Sequence, residues 1–202
     1  MLALGVDYVE LDVRRRSDGS FVVAHNEDEP DAVPYAEYLG RLAGRAGAHV
    51  DLKVDSDNGV AEVEAAGMAL RAMGADDLVL TTESVPGARA LRDWADSQGL
   101  ALRIGLSVGR PVHRLSTLGA VRLRVGELLS TSVRDSGATV VASRHTLARL
   151  GMAWLAHRRG LPLLVWTVDD ERHLSYWLRP GRAWMVVTNE PELALRLRDS
   201  VR

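Results

Sequence analysis

Glu10 and Asp12 stand two residues apart in "YVELDV", and Asp51 and Lys53 repeat that spacing in "HVDLKV". Alternate residues of a β-strand share one face, so each pair projects together if its run is a strand. Two carboxylates on one face repel each other. A divalent cation relieves that repulsion, and hard oxygen donors suit Mg²⁺ or Ca²⁺. Asp51 offers a third carboxylate oxygen, while Lys53 can neutralise an anion or support the acids. The alternative is a surface hairpin whose acids are solvated. His25 ends the apolar run "FVVAH". A histidine there either caps a loop or, beside a metal and a phosphate, serves as general acid or base, because imidazole titrates near neutral pH.

Other chemically capable residues read more plainly. His49 precedes its strand and is expected at the opposite end from the site, where residues serve stability. His113, His157 and His173 fall in loop or helix patterns and read as solvated. His145 follows a strand tip, within reach of a site there. Arg14, Arg15 and Arg16 read as a solvated turn. Trp166, in "LLVWTVDD", is either core or the aromatic wall of a pocket.

These side chains need strands to hold them. Apolar, β-rich runs are expected as strands at Asp7–Val13, Phe21–His25, His49–Val54, Leu78–Thr82, Leu102–Val108, Thr139–Ser143, Leu163–Val168 and Met185–Thr188. Asp18-Gly19 between the first two suits a tight turn and predicts a hairpin. Helical patterns separate the later runs. One starts after a capping Asn58 and closes on Gly74. A second follows Val85, and a third places Leu147, Leu150, Trp154 and Leu155 on one face before Gly160. A fourth, short one ends at Pro180. Alternation of strand and helix predicts a parallel α/β sheet, open or closed into a barrel. Polar residues stand at many strand ends: Asp12, His25, Lys53, Thr81, Thr82, Ser107, Ser143, Arg144, Thr167 and Asn189. An open sheet concentrates its site at one switch point, whereas a barrel gathers residues from several strand tips, and this distribution favours the barrel.

The bulk properties agree with one folded enzyme-sized domain over residues 1–202. Hydrophobic residues make up 47% and charged residues 26%, and the net charge is −2, so no pull toward nucleic acid is expected. With no cysteine, disulfides and thiolate metal sites are excluded. No run approaches the ~18 apolar residues of a membrane span. The first ten residues lack the basic start of a signal peptide, and a cytoplasmic location is expected.

"GVDYVELDVRRRSDGSFVVAH" resembles the opening block of the glycerophosphodiester phosphodiesterases, a glutamate and an aspartate two apart followed by "DG" and a histidine. "VPYAEYL", "HVDLKV", "LLVWTVDD" and "VVTNEP" are similar, in order, to later motifs of that family, from Leu4 to about Leu197. The resemblance implies a TIM-type (β/α)₈ barrel that hydrolyses glycerophosphodiesters to an alcohol and glycerol phosphate. It implies that Glu10, Asp12 and Asp51 bind a divalent metal, Mg or Ca, with Asp51 where the family has glutamate. It gives His25 and Lys53 catalytic places and makes Trp166 a substrate-binding aromatic. The partner implied is a small-molecule phosphodiester.

The family begins with a strand ending in His-Arg, which has no counterpart here. The expected barrel is therefore incomplete, lacking its first strand and most of its first helix, with the first catalytic histidine missing and activity impaired. Either the chain continues upstream of Met1, or it is a degenerate member, or a non-catalytic module that binds metal or phosphoester. Open sheet edges would favour self-association.

Overall fold

The computed structural model describes residues 2–26, 29, 32–54, 58–109, 119, 126–127 and 131–200. Two compact units account for them: residues 1–106 with 135–138, and residues 107–134 with 139–202.

In the first unit, β1 (Tyr8–Arg15) alternates as its sequence predicts, with Val9, Leu11 and Val13 buried and Glu10, Asp12 and Arg14 on the other face. It turns back through residues 16–20 into β2 (Phe21–Val23), antiparallel to it. Asp18 Oδ1 fixes the turn by accepting from the Ser20 backbone N–H and hydroxyl, and Gly19 supplies its positive φ. These bonds hold the Asp18 carboxyl below its ordinary value. A two-residue strand, β3 (Val33–Pro34), pairs with β2. It leads into α1 (Tyr35–Leu42), which buries Tyr35, Leu39 and Leu42 at helical spacing.

Parallel strands follow. β4 (Gly47–Leu52) pairs with β1 so that Asp51 stands opposite Asp12 and His49 opposite Glu10. At Gly47 a Cβ would lie 2.4 Å from the Tyr8 ring, so this start of the ladder requires glycine. α2 (Val60–Met73) buries only small residues among its apolar side chains, Ala61, Ala65, Ala66 and Ala69. The Asn58 side chain accepts from the Val60 N–H at the start of the helix. β5 (Leu78–Thr82) adds to β4 with Thr81 opposite Asp51. α3 (Val85–Ser97) starts on Ser84, which accepts from Gly87 N at 3.0 Å. β6 (Arg103–Val108) pairs with β5 through residues 103–106. The helix-facing layer of β1, β4 and β5 is the core of this unit: Val9, Leu11, Val13, Val50, Leu52, Leu78 and Leu80 are all buried.

The second unit carries β7 (Val140–Arg144), β8 (Leu163–Trp166) and β9 (Met185–Val186) in parallel. Helical residues 145–158 join β7 to β8. They are kinked within Ala148–Met152, where Gly151 has the non-helical φ of 151°. The kink interrupts the helical period. Leu147, Ala148, Met152 and Ala156 are buried, whereas Leu150 and Trp154, expected on the packed face, are exposed. The helix Glu171–Trp177 is capped by Asp170, which accepts from His173 N at 2.9 Å. A last helix spans Pro191–Ser200.

The expected strands are all present, with ends displaced by no more than two residues and Leu78–Thr82 unchanged. Phe21–His25 shortens to Phe21–Val23, and Met185–Thr188 to Met185–Val186. β3 has no sequence signature, since its two residues include a proline and carry no alternation. Arg14 and Arg15, expected in the turn, belong to β1. Among the described residues no strand precedes β1, and no helix is long and apolar enough to cross a membrane.

Candidate metal centre

β1 and β4 bring the three acids together as their spacing requires. Glu10, Asp12 and Asp51 each offer an oxygen, and these oxygens lie within 4.8 Å of one another. A single Mg²⁺ or Ca²⁺ with ligands at about 2.0–2.6 Å needs oxygens about that close. The donor set, carboxylate oxygens without sulfur or uncharged amide, is that of a hard cation. The electrostatics agree. The Glu10 carboxyl is pushed up to about 7, first by burial and then by the charges of Asp51 and Asp12, with Lys53 pulling it down. A bound positive ion would offset both the burial of the Glu10 charge and the repulsion from Asp51 and Asp12. The residues fit such an ion.

Basic side chains surround the acids. Lys53 Nζ lies 2.7 Å from Asp51 Oδ2 and 3.5 Å from Glu83 Oε1. Burial opposes its charge, but Asp51 and Glu83 overcome that and hold its pKa above the ordinary value. His25 Nδ1 is 3.0 Å from Asp12 Oδ2, and 84% of the His25 side chain is exposed. With Nδ1 turned to Asp12, Nε2 is the atom available to a substrate. The loop holds the residue by its backbone: Glu29 Oε2 accepts from His25 N, and Arg14 Nη2 donates to the His25 carbonyl.

Beneath the acids lies a buried hydrogen-bonded chain. Thr81 Oγ1 donates to Asp51 Oδ1 at 3.0 Å and contacts His49 Nε2 at 2.9 Å. His49 Nδ1 is 3.9 Å from Glu10 Oε1. His49 therefore adjoins the site, against the expectation that it lay at the far end. It is one step earlier than Asp51 on the same face of β4, which places it under the acids. Burial drives its imidazole pKa down.

Glu83, Arg14 and His49 join the site beyond the expected set, together with Thr81 from the strand-end polar residues. Their sequence signal is the same alternation: it extends from Glu10 and Asp12 to Arg14 on β1, from Asp51 back to His49 on β4, and from Thr81 to Glu83 after β5.

The remaining candidates fall in the second unit. Trp166 is the last residue of β8, half-buried, with its indole N–H lacking a hydrogen-bond partner. His145 and His173 meet edge to face at 4.9 Å, and His173 Nδ1 is 2.5 Å from Asp170 Oδ2, so His173 is paired rather than solvated. Burial first, then His173 and Arg144, lower the His145 pKa. Asn189 donates through its backbone and side-chain amides to Asp169. His157 is exposed, as expected, and His113 lies outside the described residues.

The fold is α/β of the TIM-barrel type, the class that strand–helix alternation and strand-tip polar residues predicted. It is the fold of solved glycerophosphodiester phosphodiesterases. One from Parabacteroides distasonis is similar with a TM-score of 0.76 and 16% identity, over 98% of this chain and 86% of that one. Another, from Agrobacterium tumefaciens, has a TM-score of 0.66 and 18% identity, over 96% and 89%. An Oleispira antarctica phosphodiesterase, solved with its product sn-glycerol-3-phosphate, has a TM-score of 0.64 and 15% identity, over 98% and 87%. No family model matches the sequence, and no curated protein matches it.

Proposed function

We propose that the protein hydrolyses glycerophosphodiesters to an alcohol and glycerol phosphate, using a divalent metal, Mg or Ca, held by Glu10, Asp12 and Asp51. The observation that carries this reading is the convergence of those acids within 4.8 Å, with His25 on Asp12 and Lys53 on Asp51. The shared fold supports it.

The cation supplies positive charge to the phosphoryl oxygens. Lys53 adds a second, fixed charge, which is worth most as negative charge grows on those oxygens in the transition state. Asp12 orients the His25 ring through its contact with Nδ1. When a water oxygen bonds to phosphorus, releasing its proton to solvent, and the phosphorus–oxygen bond to the alcohol breaks, His25 Nε2 gives a proton to the departing alkoxide. Trp166 serves as an aromatic wall for the substrate. The partner is thus a small-molecule phosphodiester, and residues 1–202 act as one catalytic domain.

The test is release of glycerol phosphate from glycerophosphocholine with Mg²⁺ or Ca²⁺, by the wild-type chain and by a Glu10→Ala/Asp12→Ala variant. Release that stops in the variant and in chelator supports the assignment. Equal rates in both proteins reject it.

A further inference from the structure

We infer that His49 and Thr81 are positioning residues of the metal centre, which set the Asp51 carboxylate through a buried hydrogen-bonded chain. The inference rests on the metal-binding reading of Glu10, Asp12 and Asp51. It concerns residues outside that ligand set.

The direction of the chain follows from donor counting. The Asp51 carboxylate only accepts, so the Thr81 hydroxyl spends its single proton on Asp51 Oδ1 at 3.0 Å. Thr81 Oγ1 can then only accept from His49 Nε2, 2.9 Å away. His49 must therefore carry its proton on Nε2. Its Nδ1 is left as an acceptor, buried, without a hydrogen-bond partner, and 3.9 Å from Glu10 Oε1. His49 and Thr81 are 2% and 0% exposed, so water does not compete for these bonds.

The register explains why these residues are the ones used. Thr81 is the direct β5 neighbour of Asp51, and His49 is the direct β4 neighbour of Glu10. One chain thus touches two ligands from below. Asp51 has one methylene less than glutamate and cannot adjust its reach as freely. With Oδ1 tied to Thr81 and Oδ2 2.7 Å from Lys53, both oxygens are fixed before a cation arrives. Partners of this kind typically change metal affinity 10–100-fold when removed.

The experiment titrates Mn²⁺, Mg²⁺ and Ca²⁺ calorimetrically into wild-type protein and into Thr81→Val, Thr81→Ser and His49→Leu variants. Long-range ¹H–¹⁵N spectra of the imidazoles are recorded in the absence of metal. Thr81→Val keeps shape but removes the hydroxyl, and is expected to weaken cation binding at least tenfold. Thr81→Ser restores the donor and should recover most of the affinity, which a merely structural role for the side chain would not predict. His49 should show the Nε2–H tautomer in wild-type protein. Wild-type affinity in Thr81→Val, or an Nδ1–H tautomer at His49, overturns the inference alone. A wild-type protein that takes up no cation overturns the metal reading and the inference together. If His49→Leu fails to fold, the two threonine variants still decide.

Discussion

Asp12 and Asp51 stand opposite each other across the parallel β1–β4 ladder, and each is matched by its own basic side chain, His25 at 3.0 Å and Lys53 at 2.7 Å. Glu10, one step earlier on β1, faces His49, a residue whose burial keeps it from taking a proton. Burial first, then the charges of Asp51 and Asp12, push the Glu10 carboxyl up to about 7, which makes it respond to pH and to an added cation near neutrality.

Glu10 has a folded-state pKa of about 7, above the 4.5 of the unfolded chain. Between those values the unfolded state gives up the proton while the folded state keeps it. The group therefore stabilises the metal-free protein least at high pH: stability falls as pH rises from about 4.5 to about 7, then levels. With 37% of the Glu10 side chain exposed, solvent screens the effect, and its direction is the prediction. Thermal melts of a Glu10→Gln variant should lack this slope. Above pH 7 a saturating divalent cation should raise the wild-type midpoint, a stabilisation of about 2.7 kcal/mol at a hundredfold excess over Kd, and leave the variant nearly unmoved.

His49 acts in the opposite sense. Its folded-state pKa is pushed below the ordinary 6.5 by burial. As pH falls through about 6.5 the unfolded chain takes up a proton that the buried ring refuses, so stability drops on the acid side. Chemical denaturation at pH 7.5 and pH 5.5 should show a smaller loss in His49→Gln than in wild type.

His25 is expected to separate activity from stability. Its ring is mostly exposed, and β1 and β2 do not depend on it for packing. His25→Ala should shift unfolding free energy by less than about 0.5 kcal/mol and slow glycerophosphocholine hydrolysis about 10²–10⁴-fold. Equal turnover with and without the imidazole would remove His25 from the reaction.

Lys53, the sole lysine of the chain, should couple the two properties. Lys53→Met leaves the Asp51 carboxylate, 10% exposed, without its cation. A cost of about 1–3 kcal/mol in stability is expected, with hydrolysis down by about 10²–10³. Lys53→Arg should recover stability better than rate, since a planar guanidinium cannot occupy the point between Asp51 and Glu83 as an ammonium does.

The parts of this site legible in the sequence are those with a period. The two-residue spacing of Glu10 and Asp12, and of Asp51 and Lys53, needs only a strand to become geometry, and the apolar residues between them declare the strand. The period alone leaves open where a strand begins and how it is offset. β4 starts at Gly47, which puts His49 on the Asp51 face, and its place beside Glu10 follows from how β4 slides against β1. Helix faces show the same limit. Leu150 and Trp154 have helical spacing with Leu147, yet the helix is kinked at Gly151 and both are exposed. A kink breaks the 3.6-residue period, so residues on either side of it no longer share one face.

Tyr35 offers a test of the packing rather than the chemistry. It opens α1 fully buried, and its hydroxyl has no hydrogen-bond partner. Burial raises its pKa, so the phenol stays neutral throughout the working range. An unpaired buried hydroxyl forfeits its bonds to water and gains nothing in return. Tyr35→Phe removes the oxygen and keeps the ring among its apolar neighbours. The variant should be at least as stable as wild type, with a gain of up to about 1 kcal/mol in urea denaturation. A loss of more than that would mean the oxygen is bonded in solution, to an ordered water or to a neighbouring group, and that the start of α1 is held by polarity as well as by packing.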